Sequence, residues 1–166
     1  KAAAGVGHHV ALSVVGTDRL LESGFFRAKL AQENLIKASV IPYTIVRAMQ
    51  FFEFAKSIAD LSTEGNQVRL PSVLFQPMAA DDVAAALRGI AMNSPVNVTV
   101  EIGGTVKIRL GELHTRDMAA RPEPRGAIPR SHARYLLSAG RERPQYPDAI
   151  ARLGDTRVED WRRATQ

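Results

Sequence analysis

The stretch SGFFRAKLAQENLIKAS (residues 23–39) decides the fold of this 166-residue chain. An apolar run at residues 9–15 leads into it, and a second apolar run at residues 43–47 follows it. Strand, helix, strand within about forty residues is the βαβ repeat of a parallel sheet. We therefore predict two parallel strands joined by a helix, with Ser23 as its N-cap. The residues expected to lie on the sheet form a narrow, mostly small-residue face: Ala28, Ala31, Leu35 and Ala38.

Lys29 is the first chemically informative residue of this helix. It follows Phe25 by four positions, so the two side chains lie one turn apart on the same face. Open α/β sheets bind their ligands at the carboxyl ends of the strands, and Lys29 follows such an end. The other interpretation is a surface lysine whose stem covers a packed phenylalanine. The spacing alone leaves both open.

Composition bounds the class of protein. A chain with 45% hydrophobic residues can form one ordinary domain with its own core. It has no cysteine, which excludes disulfides, thiolate nucleophiles and cysteine metal sites and suits a cytoplasmic location. No apolar run is long enough to span a membrane, and no signal-peptide pattern is present. The opening residues, Lys1 to Val6, resemble the last turn of a helix, so we expect an earlier segment.

The positive charge is concentrated near the carboxyl end. Residues 1–106 contain nine Lys/Arg and nine Asp/Glu, whereas residues 107–166 contain thirteen and eight. A basic region can indicate nucleic-acid binding. Here the arginines are dispersed among Pro and Gly, without a helical stripe or interleaved aromatics. We therefore predict a solvated, loop-rich tail and no nucleic-acid partner.

The remaining pattern predicts further elements of an α/β domain. A helix is expected to contain Phe51, Phe52, Phe54 and Ile58. Either at least one phenylalanine lines a cleft or a lid, or the helix is buried on two sides. Short strands are predicted at residues 68–70 and 74–78, and a period-two strand at residues 98–102. Asp81 and Asp82 should begin a helix whose apolar stripe is Val83, Leu87 and Ile90.

The carboxyl-terminal part is less regular. A short helix is predicted at residues 110–120 and a long irregular loop at residues 121–154, where Pro and Gly are frequent. Thr156 and Glu159 have the spacing of a capping box for a last helix, with Val158 and Trp161 on its buried side. We place a domain boundary after residue 106, with residues 107–166 as a small substrate or lid region.

Most familiar catalytic motifs are absent. The four histidines lie in unrelated segments without ligand spacing, so we expect no metal site. No G-x-S-x-G elbow, P-loop or glycine-rich dinucleotide turn follows a strand. A dinucleotide site needs that turn so that the pyrophosphate can approach backbone N–H groups at a helix start.

Four blocks nevertheless give a specific resemblance: HHVALSVVGTDRL, SGFFRAKLAQENLIKAS, IPYTIVRAMQFFEF and QPMAADDVAAAL. In this order and spacing they resemble the NmrA-like NAD(P)-binding family of the atypical short-chain dehydrogenase/reductase superfamily. The final RLGDTRVEDW is similar to the end of bacterial members. The resemblance covers nearly all of the chain. It implies the later half of a Rossmann-like parallel sheet, NAD or NADP as cofactor, and a glycine-rich half that would precede Lys1.

The resemblance also assigns roles to residues. The Tyr-x-x-x-Lys motif of the superfamily falls on Phe25 to Lys29, and its tyrosine is the general acid/base for the carbonyl being reduced. Phe25 has no proton to give, whereas Lys29 can still bind the nicotinamide ribose. Ser13 matches a polar position near the nicotinamide and, with Lys29, is the catalytic candidate. Ala48, Met49 and Gln50 correspond to a loop that passes the nicotinamide, and the substrate-lining candidates are Phe25, Phe51 and Phe54.

Three functions follow as hypotheses. The first is an NAD(P)-dependent oxidoreductase that transfers hydride to a small quinone- or carbonyl-like acceptor. The second is a non-catalytic dinucleotide sensor that regulates a protein partner. The third is that this chain does neither, because without the glycine-rich turn it binds NAD(P) poorly. We also expect self-association along the sheet edge of the first strand, which would lack a neighbour.

Overall fold

The computed structural model describes the following parts of the chain: residues 4–54, 63–64, 67–71, 74–109, 112, 126–130 and 150–164. Within them the strands are β1 (His9–Val14), β2 (Tyr43–Ala48), β3 (Thr63–Glu64), β4 (Gln67–Pro71), β5 (Leu74–Phe75), β6 (Thr99–Gly103), β7 (Ile108–Arg109), β8 (Gly126–Arg130) and β9 (Ile150–Leu153). The α-helices are α1 (Gly24–Lys37), α2 (Ala80–Ala91) and α3 (Val158–Ala164), and Phe52–Phe54 forms one 3₁₀ turn.

The main sheet is parallel, in the order β1-β2-β6-β9. His9 pairs with Tyr43 and Val14 with Ala48, so β1 and β2 run in register along their whole length. The predicted βαβ unit and the α/β fold class are therefore confirmed. Two smaller sheets accompany it, one of β3, β4 and β8 and one in which β5 pairs antiparallel with β7.

Helices cover the two faces of the main sheet differently. On the α1 side, Ala11, Ile36 and Ile45 form a small buried apolar cluster. On the α2 side the cluster is larger: Val46, Ala48, Met78, Val83, Ala86 and Ile102. A third cluster joins the carboxyl end of the sheet to the last helix and includes Phe26, Met49, Phe52 and Val158.

The predicted sheet-facing side of α1 is wrong. Phe26, Glu33 and Ile36 are the buried residues of the helix, whereas Leu35 is 75% exposed and the three alanines of the predicted face are also exposed. The helix is rotated relative to the predicted orientation because Glu33 pairs with Arg47 of β2. The spacing of apolar residues carries no information about such an ion pair. Ser23 is at the N-cap position, but its side chain does not cap the helix.

Other sequence predictions have mixed outcomes. The strands near residues 68–70 and 98–102 are confirmed, and the strand predicted at 74–78 forms only at Leu74–Phe75. The predicted helix is confirmed, beginning at Ala80 with Asp81 and Asp82 in its first turn. The phenylalanine segment forms only a 3₁₀ turn, and Ile58 lies outside the described residues. The loop predicted at residues 121–154 contains β8 and β9, so that prediction is wrong there. The helix predicted at residues 110–120 lies outside the described residues except at position 112.

The last helix forms as predicted, but the capping box does not. Both the backbone N–H and the hydroxyl of Thr156 donate to Asp82, each at 2.9 Å, so Thr156 ties the segment to α2. Val158 is buried and Trp161 is half-buried, as expected. The Trp161 indole N–H donates to Glu53 at 3.0 Å. These bonds dock the carboxyl-terminal segment on the amino end of α2.

Gly104 is the point of closest backbone approach. A Cβ atom there would lie 1.8 Å from the carbonyl oxygen of Pro77, so the position requires glycine. The Gly104 N–H donates to the Gln76 carbonyl at 3.0 Å, and the Gln76 amide donates back to the Gly104 carbonyl at 2.6 Å. The segment before α2 that contains Gln76 and Pro77 therefore packs directly against the backbone at the end of β6. Among the described residues, no helix has the length and apolar character needed to cross a membrane.

Candidate functional site

The carboxyl ends of β1, β2 and β6 lie level at one edge of the sheet. Val14 pairs with Ala48, and Ala48 pairs with Ile102. The chain before α2 crosses this edge, because Met78 donates to the Gln50 carbonyl at 3.1 Å and accepts from the Phe52 N–H at 3.0 Å. Parallel α/β sheets bind ligands at this edge, which makes it the candidate site.

Lys29 lies beside β1 with its charge unpaired. Its ammonium group donates to the Leu12 carbonyl and to the Gln32 side-chain oxygen, both at 3.3 Å. Both acceptors are neutral, and the described residues give Lys29 no ion pair. One turn earlier, Phe25 is 49% exposed and meets Phe26 edge to face, with ring centroids 5.3 Å apart. Lys29 therefore keeps a cation available at the surface of the βαβ unit.

Ser13 lies under α1 rather than in an open cleft. The residue is 3% exposed, and its hydroxyl donates to Glu33 Oε1 at 2.6 Å. Its single proton is used in that bond, so the hydroxyl can offer a ligand only lone pairs. Ser13 of β1 and Lys29 of α1 thus belong to the same βαβ unit but bind different groups: Ser13 binds Glu33, whereas Lys29 binds Leu12 and Gln32.

An ionic network that is buried except at Asp18 lies beside Ser13. In the strand register Ser13 of β1 lies opposite Arg47 of β2, and Arg47 lies opposite Glu101 of β6. The three side chains therefore form a row on the face of the sheet that α1 covers. The Arg47 guanidinium binds Glu33 in bidentate fashion, at 2.9 Å through Nε and 2.8 Å through Nη2. Its Nη1 reaches Asp18 at 2.8 Å. Paired and hydrogen-bonded in this way, charges can remain in a protein interior.

Electrostatics hold the network ionised. Burial alone would raise the pKa of Glu33, but the hydrogen bonds from Arg47 and Ser13, together with the charges of Arg47 and Lys37, lower it below the ordinary value. Burial acts in the same direction on Asp18, and Arg47 again outweighs it, so the pKa of Asp18 is also lowered. Burial alone would lower the pKa of Arg47, but the carboxylates of Glu33 and Asp18 outweigh burial and raise it.

The loop candidates occupy mixed environments. Ala48 and Met49 are buried in separate apolar clusters, and Gln50 is half-buried. Phe51 and Phe54 stack with centroids 5.5 Å apart, and Phe54 is 48% exposed. Ala48, Met49 and Gln50 therefore lie together at the carboxyl end of β2. Phe25 and Lys29 lie apart from them, on α1.

Sequence reasoning missed Glu33 and Arg47. The available signal was a charged residue inside the apolar strand YTIVRA, since arginine is almost never fully buried without a partner. Phe52 lines a cavity that is described below. Among the described residues, no group of three or more His, Cys, Asp or Glu side chains could hold a metal ion.

No protein-family model and no curated protein matches this chain. Solved structures do resemble it. RMD from Pseudomonas aeruginosa, complexed with NADPH, is 13% identical with a TM-score of 0.64, and the match covers 98% of this chain and 67% of that one. TunA, an NAD-dependent NDP-hexosamine 5,6-dehydratase, is 14% identical with a TM-score of 0.66, over 98% of this chain and 63% of that one.

A third similar structure is the NADPH-dependent quinone oxidoreductase QOR2 from Escherichia coli. It is 19% identical with a TM-score of 0.63, and the match covers 78% of this chain and 48% of that one. The chain thus spans about half to two thirds of the length of these proteins. At such identities the likeness shows the fold, a Rossmann-like α/β arrangement with a parallel sheet.

Proposed function

We propose that this chain is part of an NAD(P)-dependent oxidoreductase of the NmrA-like kind, which passes hydride to a small quinone- or carbonyl-like acceptor. The fold likeness supports the proposal, since the similar structures include an NADPH-dependent quinone oxidoreductase and a protein complexed with NADPH. The observation that carries it is the unpaired ammonium group of Lys29 beside β1. We place the protein in the cytoplasm, which a chain without cysteine suits.

The residues present fit the nicotinamide end of a dinucleotide. Lys29 can exchange its two neutral acceptors for ribose hydroxyls, and its charge strengthens those hydrogen bonds. Ser13 can accept a hydrogen bond, and the backbone of Ala48 to Gln50 would border the ring. Bound NAD(P)H would supply the hydride. No stretch of the sequence supplies a glycine-rich turn between a strand and a helix, so we expect weak contact with the pyrophosphate.

Phe25 restricts the acceptor. A carbonyl needs a proton as it is reduced, and the phenyl ring at the tyrosine position cannot give one. A quinone or a flavin needs less help of this kind, so we favour a flat aromatic acceptor. The stacked, partly exposed pair Phe51 and Phe54 offers an apolar surface for it. Phe25→Tyr should therefore raise carbonyl reduction more than quinone reduction.

Titration with two nicotinamide ligands tests the binding step. We expect reduced nicotinamide mononucleotide to bind about as well as NADPH, because only the nicotinamide end is held. Lys29→Ala should weaken both by roughly 1.5–3 kcal/mol, the contribution of a hydrogen bond to a charged group. Lys37→Ala is the matched control, because Lys37 lies on the same helix two turns away. Equal affinities for wild type and Lys29→Ala would contradict the proposal.

A second candidate function is a dinucleotide sensor that acts through a protein partner. The observation that favours it is Phe25, which removes the acid/base group and is half exposed on the surface. Steady NADPH oxidation with menadione separates the two functions. Turnover above the rate without protein supports the oxidoreductase, whereas saturable binding without turnover supports the sensor.

Self-association along β1 is part of the proposal. His9 and Val15 direct their N–H groups to β2, so the alternate residues Val10, Leu12 and Val14 direct theirs to the outer edge. Sedimentation velocity should detect a concentration-dependent oligomer. Val10→Pro should reduce it, because proline removes an outward N–H and leaves the inner pairing intact. A monomer at all concentrations would contradict this proposal.

A further inference from the structure

A cavity of about 290 Å³ lies between the loop after β6 and the beginning of α3. Neither Ser13 nor Lys29 lines it. Its apolar wall is Phe52, Pro77, Val106, Ile108 and Val158. Ligand sites in proteins are concave and mostly apolar, with a few polar groups that fix orientation. The size of this cavity suits a small organic molecule, and its chemistry is set by the polar residues at its rim.

The rim offers one cation without a partner. Arg157 lines the cavity and is exposed, and within the described residues its guanidinium group has no ion pair or hydrogen bond. The acidic residue beside it, Glu159, is already engaged in an interaction. The Thr156 hydroxyl is also engaged, with Asp82. The rim therefore offers a ligand the exposed guanidinium group of Arg157.

The walls are fixed before any ligand arrives. Val158 is buried in the cluster at the end of the sheet, and the Gly154 N–H donates to the Gly103 carbonyl at 2.9 Å. The two bonds from Thr156 to Asp82 hold the segment that carries Arg157. A preformed site loses less conformational entropy when a ligand binds.

We propose that this cavity binds a small organic carboxylate with an apolar body. The apolar part would enter between Phe52, Val106 and Val158, and the carboxylate would pair with Arg157. Guanidinium groups match carboxylates in a planar, bidentate geometry. This inference does not rest on dinucleotide binding, since the cavity is lined by none of the residues assigned to the nicotinamide.

The chain carries its own probe of the cavity. Trp161 is its single tryptophan, and its ring lies 5.5 Å from that of Phe52 in the wall. Tryptophan fluorescence of the full chain, without nucleotide, should change saturably on titration with cyclohexanecarboxylate. Cyclohexanemethanol has the same body without the charge and should bind at least about tenfold more weakly. Acetate has the charge without the body and should also bind more weakly.

Two variants and one control test the assignment of residues. Arg157→Gln should weaken cyclohexanecarboxylate at least about tenfold and leave cyclohexanemethanol unchanged. Val106→Glu should weaken binding of the carboxylate, because it places a like charge in the apolar wall. Arg163→Gln is the matched control, because Arg163 lies on α3 outside the cavity and pairs with Asp160. Equal binding of acid and alcohol, no binding of the acid, or an unchanged affinity in Arg157→Gln would each overturn the proposal.

Discussion

The two faces of the main sheet are stabilised by different physics. On the α2 side six buried residues, from Val46 to Ile102, form an apolar cluster, and the buried polar residue beside it, Thr44, carries no charge. On the α1 side the apolar cluster has three buried members among the described residues, and Glu33, Arg47 and Ser13 are buried beside it. Apolar contacts are not directional, whereas a bidentate ion pair fixes the rotation of a helix. The polar face therefore fixes the orientation of α1. It also fixes the direction of Lys29, which lies one turn before Glu33 on that helix.

The largest expected effect comes from breaking the polar face. Arg47→Met should cost about 3–5 kcal/mol of unfolding free energy, because it leaves the buried carboxylate of Glu33 without its bidentate partner. Denaturant unfolding measures the loss. The double variant Glu33→Leu, Arg47→Met should recover most of it, because no buried charge of that pair remains. A loss below about 1 kcal/mol in Arg47→Met would show that water reaches Glu33.

The apolar face should respond in a simpler way. Ile102 is 1% exposed in the α2 cluster, so Ile102→Ala should cost about 2–5 kcal/mol through lost burial and the cavity left behind. This loss should be the same at pH 5 and pH 7, because no ionisable group takes part. A strong dependence on pH would mean that the two faces are coupled across the sheet.

Acid should weaken the polar face selectively. The pKa values of Glu33 and Asp18 are lowered in the folded protein, so their contribution to stability is complete above their unfolded values. It is lost as the pH falls from the unfolded values through the lower folded values. Unfolding free energies measured from pH 7 down to pH 3 should therefore fall more steeply for wild type than for Arg47→Met. Parallel curves would contradict the assignment.

The same contrast explains what the sequence could and could not predict. The strands at residues 9–15 and 43–47 were predictable, because continuous apolar runs indicate a strand buried on both faces. The orientation of α1 was not, because it depends on Glu33 meeting Arg47, fourteen positions later in the chain. Likewise β9 gave no periodic signal, since its place in the sheet is set by pairing with β6. Lys29 was proposed from its spacing after Phe25 and from the family resemblance, whereas the cavity could be recognised only in the fold.

The smallest expected effect is that of Ser13→Ala, and it separates two roles of one hydroxyl. Arg47 still holds both oxygens of Glu33 in this variant, so the loss of stability should be only about 1 kcal/mol. The loss should shrink at acid pH, because a protonated Glu33 no longer needs a donor. Nicotinamide binding should weaken less than in Lys29→Ala, since Ser13 can only accept a hydrogen bond. Ser13→Ala could instead weaken nicotinamide binding as much as Lys29→Ala while leaving the unfolding free energy unchanged. That result would place the hydroxyl in the cofactor site and not in the polar network.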